Sequence, residues 1–125
     1  EVNKFNEENK DLLSLMKESI NIADVKFTNK LKNHSVCLTS KGDVSVEMEK
    51  VINAMPTDER VNAEKVLEIN MNHPIANKLK ELYENNKDEV KSYAKVLYAE
   101  ARLIEGLSID NPTEISNLIS DIISK

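Results

Sequence analysis

The chain has 125 residues, of which 40% are hydrophobic and 31% are charged, a composition typical of one globular domain with a buried core. Its net charge of −5, without any block of Lys or Arg, argues against a nucleic-acid partner. No apolar run approaches the roughly 20 residues that cross a bilayer, so no membrane partner is expected. The single cysteine, Cys37, cannot form an internal disulfide and is typical of a reducing cytosol.

The first third of the chain predicts a helix followed by two short strands. Apolar residues at helical spacing indicate an amphipathic helix over residues 6–20. The alternating run at 25–27 and the apolar run at 36–38 have the length and pattern of strands. Only two Gly and three Pro occur in the whole sequence, which favours helices over a turn-rich β sandwich.

A second amphipathic helix is predicted between residues 44 and 55. Asp43 can cap its first turn, and Pro56 ends it because proline disfavours helical geometry in the residue before it. The polar residues 57–62 are predicted to be a mobile connection, and residues 63–69 have the pattern of a third strand.

The remainder of the chain predicts three helices. Pro74 suits the first turn of a helix, where its missing N–H costs nothing. Asp88 can cap a second helix over 89–105, which Gly106 can end. Asp-Asn-Pro at 110–112 opens a third helix that continues almost to the last residue. The predicted fold class is therefore α+β, with helices packed around a small three-stranded sheet.

Five sequence blocks follow one another along the chain. They are NHSVCLT at 33–39, MEKV at 48–51, LEINMNHPI at 67–75, LYAEARLIEG at 97–106 and DNP at 110–112. In order and spacing they resemble the C-terminal domain of the heat-shock protein 90 chaperone family, in its bacterial form. The resemblance covers most of the chain. It implies one C-terminal dimerisation domain over 1–125, excised from a longer chaperone, with an α/β part at about 1–88 and dimerisation helices at 89–125.

The last two predicted helices carry wide apolar faces. The apolar arc of the helix at 89–105 covers over half its circumference, which predicts burial on two sides. The apolar face of the last helix either docks onto its own domain or pairs with a second copy in an intersubunit four-helix bundle. The resemblance favours the bundle, because these helices form the constitutive dimer interface in the family. It implies a homodimer interface at Val90, Leu97, Ala101, Ile104, Ile115, Leu118, Ile119 and Ile122.

The apolar stripe of the helix predicted at 44–55 faces either the core or a binding partner. Met occurs twice in the stripe, and Met is common on surfaces that accept varied partners. In the resembled family an amphipathic helix at this place contributes to the binding of client proteins. The resemblance implies that non-native clients contact Val44, Met48, Val51, Ile52 and Met55. Val44 departs from the pattern, because its β-branched side chain is stiffer than Met.

The sequence contains no catalytic constellation. His34 and His73 have no second His or Cys at metal-ligand spacing, so structural roles are expected and no metal is predicted. Cys37 lies in an apolar run, where a thiol is usually inert. With only Gly42 and Gly106, no Gly-rich phosphate loop can be built. We therefore expect no enzyme activity and no cofactor in this chain; the resemblance implies that ATP and Mg²⁺ bind an N-terminal domain of the parent protein.

The leading interpretation is the constitutive homodimerisation domain of a cytoplasmic, ATP-dependent chaperone. The alternative is an unrelated helical adaptor whose terminal helix docks into a partner's groove. Such an adaptor would be monomeric until its partner is added. A small acid–base enzyme is a third interpretation, and it would require a pocket of convergent titrating groups.

Overall fold

The computed structural model describes residues 1–56 and 60–125. Its elements are α1 (Val2–Glu8), α2 (Lys10–Ile20), β1 (Asp24–Thr28), β2 (Val36–Lys41), α3 (Val46–Asn53), β3 (Glu64–Asn70), α4 (Pro74–Asn85), α5 (Lys87–Ile104) and α6 (Pro112–Ile123). The predicted α+β class, with three strands in the described residues, is confirmed. No helix in this part of the chain is long and apolar enough to span a bilayer. The predicted mobile connection at 57–62 falls partly on residues 57–59, outside the described residues.

The central strand of the sheet is β3, and the strand order is β1-β3-β2. β1 runs parallel to β3 and β2 runs antiparallel to it, so that Val25 and Leu38 flank Leu67 from opposite sides. A central strand that is covered on both faces usually has apolar residues at nearly every position. This explains why residues 66–69 of β3 are mostly apolar. α2 and α5 pack on each other and against the sheet. The main core lies between these layers, with Leu12, Met16, Phe27, Leu79 and Val90 fully buried.

The single helix predicted over 6–20 is wrong, because two helices meet at Asn9 instead. Asn9 has the non-helical backbone angles φ −115° and ψ 21°. The break allows α1 to lie along the outer edge of β1. There the Asn6 side chain accepts a hydrogen bond from the Phe27 N–H at 2.7 Å and donates to the Phe27 carbonyl at 3.2 Å. The Phe5 ring also packs edge-on against Phe27, with centroids 4.7 Å apart. These contacts cover a strand edge that would otherwise be open.

Two predicted helix starts are displaced by a few residues. Ser45 accepts a hydrogen bond from the N–H three residues on, at 3.0 Å, so that α3 begins at Val46 and Asp43 is not its cap. Asn86, rather than Asp88, caps α5. All of these residue types can serve as caps. The choice depends on which side chain reaches the unpaired N–H groups of the first turn in the folded chain.

Two candidate interaction surfaces

The apolar side of α3 and Met55, which follows the end of the helix, face solvent. Met48, Val51 and Met55 are 45%, 49% and 50% exposed, and Ile52 is half-buried beside them. These four residues are termed the outer stripe. Exposed apolar side chains grouped in this way make the outer stripe a candidate interaction surface. Val44 does not belong to the stripe, because it precedes the helix and packs, partly buried, against the core. The client contact that the sequence analysis placed at Val44 stays a prediction.

The opposite side of α3 is anchored by a charged residue. Of the eight described residues of α3, Val46 and Glu49 are buried. The Glu49 carboxylate accepts hydrogen bonds from the Ala63 N–H at 2.7 Å and from the Lys65 ammonium at 2.6 Å. Burial raises the pKa of Glu49, but the hydrogen bonds from Lys65 and Ala63, together with the charges of Lys65 and Arg102, outweigh it. The pKa of Glu49 therefore lies below its ordinary value.

Sequence reasoning missed Glu49, because a helical projection places it on the polar side of α3, where solvent exposure is the usual expectation. The sequence shows only that Lys65 comes directly before an apolar run at strand length. The structure adds that this strand pairs on both sides and that Lys65 is buried, and a buried lysine requires a charged partner. Periodicity within α3 alone could not identify that partner, because Glu49 is 16 residues away along the chain.

Three residues assigned to the dimer interface lie in the core of the protomer. Val90, Leu97 and Ala101 are 0%, 6% and 0% exposed, on the face of α5 that packs against α2 and the sheet. Val90 and Ala101 have no accessible surface and Leu97 has very little, so these three side chains belong to the core of the protomer and offer almost no area to a second copy. On α5 the exposed candidates are Ile104, at 44%, and Leu103, at 61%, which the sequence analysis had not included.

The terminal helix α6 is apolar but is not buried. None of its twelve described residues is buried, and Ile119 and Ile123 are 39% and 75% exposed. The other three apolar residues of the same face are half-buried, namely Ile115, Leu118 and Ile122. α6 packs on α5. The residues Leu103, Ile104, Ile119 and Ile123 are termed the terminal apolar surface.

Ion pairs connect both ends of α6 to α5. Glu114 lies 3.5 Å from the Lys95 ammonium, and Lys125 pairs with Glu89. Pairs of this kind at a surface contribute about 0–1 kcal/mol each. They add little to the packing of α6 on α5, and the apolar face of α6 stays partly uncovered.

The surroundings of the two histidines and the cysteine indicate structural roles for these residues. The His73 ring caps α4, because its Nδ1 accepts the N–H two residues on at 3.0 Å. His34 is exposed, and its backbone carbonyl accepts a hydrogen bond from the side chain of Asn70, the last residue of β3. Burial, and then the nearby carboxylates of Glu68 and Glu105, raise the pKa of the Cys37 thiol, which keeps it neutral. Within residues 1–56 and 60–125, no three His, Cys, Asp or Glu side chains group as a metal site.

A folded α+β core that displays two partly uncovered apolar helices has the features of a protein-interaction domain. The sequence profile of the family described as Hsp90 protein matches residues 1–125, and the chain belongs to this family. Similar proteins include the chaperone protein HtpG of Clostridium perfringens strain 13, with 51% identity over 116 residues. The chaperone proteins HtpG of Clostridium acetobutylicum and Alkaliphilus metalliredigens are each 45% identical, over 124 and 117 residues.

These matches cover 91%, 98% and 92% of the chain, but only 19%, 20% and 19% of the relatives. The chain therefore spans about a fifth of the length of the curated relatives that it matches. The predicted chaperone family is confirmed, and the role of this part of it is a separate question.

Proposed function

We propose that this chain is the C-terminal homodimerisation domain of an HtpG-type chaperone. The observation that carries the proposal is α6, a helix of 12 residues with an apolar side chain at every turn and none of them buried. A helix of this length is marginal in water unless its apolar face docks. α5 covers that face only in part. A second copy that presents the same two helices would complete the cover as a four-helix bundle around a two-fold axis.

The energetics support association of two identical surfaces. Full burial of a Leu or Ile side chain contributes about 1.5–3 kcal/mol, and the half-exposed residues here would gain a fraction of that. In a two-fold interface each residue of the terminal apolar surface contributes twice. The sum competes with an association cost of about 4–15 kcal/mol. Leu103 and Ile123, the most exposed of the set, have the most surface left to bury.

The consequence for the parent protein is tethering. Two protomers that are joined at their C-terminal domains keep their remaining domains near each other, at an effective concentration of about millimolar when the geometry allows it. ATP and Mg²⁺ would bind a domain outside this chain, and that domain would carry the ATPase activity in the cytoplasm. Closure of the two nucleotide-binding domains on each other would then be an intramolecular step.

We further propose that the outer stripe of α3 contacts non-native client proteins. Its exposure supports this role, since Met48, Val51 and Met55 each have about half of their surface free. Unfolded clients expose apolar side chains of varied shape, and flexible, polarisable Met adapts to such partners. In the full-length chaperone, Met48→Ser with Val51→Ser should weaken the suppression of aggregation of a heat-denatured protein while the dimer persists. Unchanged suppression would exclude the stripe as a client contact.

The dimer is tested by placing a carboxylate on either side of α6. Ile119→Asp should convert the sedimenting species from dimer to monomer, because the interface would bury an unpaired charge. Asn117→Asp adds the same charge on the exposed polar side of α6 and should leave the dimer intact. Analytical ultracentrifugation at several concentrations measures both. A persistent Ile119→Asp dimer would remove α6 from the interface, and a wild-type chain that sediments as a monomer would favour the adaptor interpretation.

A further inference from the structure

The inward side of α3 carries polar contacts in the place where an amphipathic helix usually carries apolar ones. Besides Val46, the buried residue of this side is Glu49, which is 5% exposed. Its ion-pair partner Lys65 is 8% exposed, and the Lys65 ammonium also lies 3.4 Å from the Ala63 carbonyl. Both charges are therefore removed from water, and each has a hydrogen-bonding partner inside the protein.

Two further polar contacts lie on the same side of α3. The Asn53 side chain donates to the Val61 carbonyl at 2.9 Å and accepts from the Val61 N–H at 3.0 Å. The Lys50 ammonium donates to the carbonyl of Glu105 at 3.1 Å, at the C-terminal end of α5, where a helix has unpaired carbonyls. Since a helix turns about 100° per residue, positions 49, 50 and 53 fall on one side of α3 and the outer stripe falls on the other.

We infer that the Glu49–Lys65 ion pair is a latch that sets the orientation of α3 and thereby holds the outer stripe towards solvent. The physical reason is specificity. Apolar contacts are satisfied by many rotations of a helix, whereas a buried ion pair is satisfied by one. If α3 turned its outer stripe inward, Lys65 would be left buried without a counter-charge, which is strongly unfavourable. Glu49 and Lys65 are thus positioning residues for the proposed client contact, and this part of the inference rests on the proposed function.

The latch is tested by hydrogen exchange on the 125-residue chain. Glu49→Gln keeps the shape of the side chain but removes its charge, and it should speed amide exchange in α3 by at least about tenfold. Exchange in β3 and in the buried part of α5 should change much less. Lys65→Gln should release α3 to a similar extent, and the double variant should be no worse than either single variant, because the two residues act through one interaction.

Glu47→Gln is the matched control. It removes the same charge from the same helix, but the Glu47 side chain is 71% exposed and lies 3.6 Å from the Lys50 ammonium at the surface. Its exchange pattern should match the wild type. The latch is overturned if Glu49→Gln behaves like this control, or if exchange rises equally throughout the domain, which would indicate a loss of overall stability only.

Aggregation assays on the full-length chaperone separate the latch from the client contact. If the outer-stripe variant and Glu49→Gln both weaken client holding, while Glu47→Gln does not, the positioning role is supported. If the outer-stripe variant weakens holding and Glu49→Gln frees α3 without effect on holding, the positioning role is wrong. If neither variant affects holding although α3 is released, the client contact fails and the latch remains.

Discussion

At the scale of single residues, a few polar side chains decide which surfaces of this domain stay open. Asn6 reproduces the hydrogen bonds of a neighbouring strand at the edge of β1. Glu49 fills an inward position of α3 with a charge whose partner belongs to β3. Neither residue contributes much apolar contact. Asn6 orients α1 against β1, and Glu49 orients α3 against β3.

The lowered pKa of Glu49 makes its contribution to stability depend on pH. A carboxyl whose folded pKa lies below its ordinary value of 4.5 stabilises the fold above that value. The stabilisation is lost as the pH falls through the folded pKa, when the carboxylate is protonated in both states. Glu49→Gln should therefore lower the free energy of unfolding at pH 7 by up to about 3–5 kcal/mol. The difference from wild type should shrink towards zero in strong acid.

Urea melts between pH 7 and pH 3 measure this dependence. The charges that face the Glu49 carboxylate are those of Lys65 on β3 and Arg102 on α5. Glu47→Gln should differ little from wild type at pH 7, since exposed pairs contribute little. A Glu49→Gln penalty that stays constant with pH would contradict the ionised pair.

At the scale of elements, helices with similar apolar periodicity are used in opposite ways. α2 and α5 turn their apolar faces to the sheet and to each other, and Met16 and Val90 are fully buried there. α3 turns its apolar stripe outward, and α6 leaves part of its apolar face uncovered. Sequence periodicity identifies the apolar face of a helix, but it does not show whether the core, a partner or solvent lies against that face.

Two methionines test this contrast directly. Met48→Ala on α3 should change the free energy of unfolding by no more than about 0.5 kcal/mol, as surface substitutions usually do. Met16→Ala on α2 removes the same atoms from a site with no exposure and should cost about 2–5 kcal/mol. Both values come from urea melts of the 125-residue chain. Equal and large losses would mean that α3 turns its stripe into the core in solution.

At the scale of the whole molecule, a single hydrogen bond connects the helix of the outer stripe to the helix that leads to the terminal apolar surface. The Lys50 side chain, next to Glu49 in α3, donates this bond to the carbonyl of Glu105 at the end of α5. α5 ends there because Gly106 takes a left-handed φ of +76°, and the chain then turns back into α6. The outer stripe of α3 and the terminal apolar surface are therefore held by adjoining parts of one framework. This arrangement would suit a domain that dimerises and holds clients at once.

The isolated chain should not bind nucleotide. The glycines that could form a phosphate-binding loop are Gly42 and Gly106, which stand singly at turns of positive φ. Calorimetric titration of the chain with Mg-ATP should therefore give no saturable heat at micromolar concentrations of protein. A clear isotherm with a defined stoichiometry would reveal a nucleotide-binding site that has no recognisable sequence motif. It would contradict the proposal that nucleotide binds a domain of the parent protein outside this chain.

The sequence by itself determined the fold class, the family and the order of elements, apart from the break at Asn9 that divides the first predicted helix into α1 and α2. Those features depend on local periodicity, on residues such as Pro74 and Gly106 that begin or end helices, and on the order of sequence blocks. The tertiary structure alone decided which apolar faces are covered. Val90, Leu97 and Ala101 lie in the core, while the outer stripe of α3 does not, although both sets follow the same helical period. The reason is that burial depends on contacts between residues far apart along the chain, such as Glu49 with Lys65, and a pattern within one helix carries no information about them.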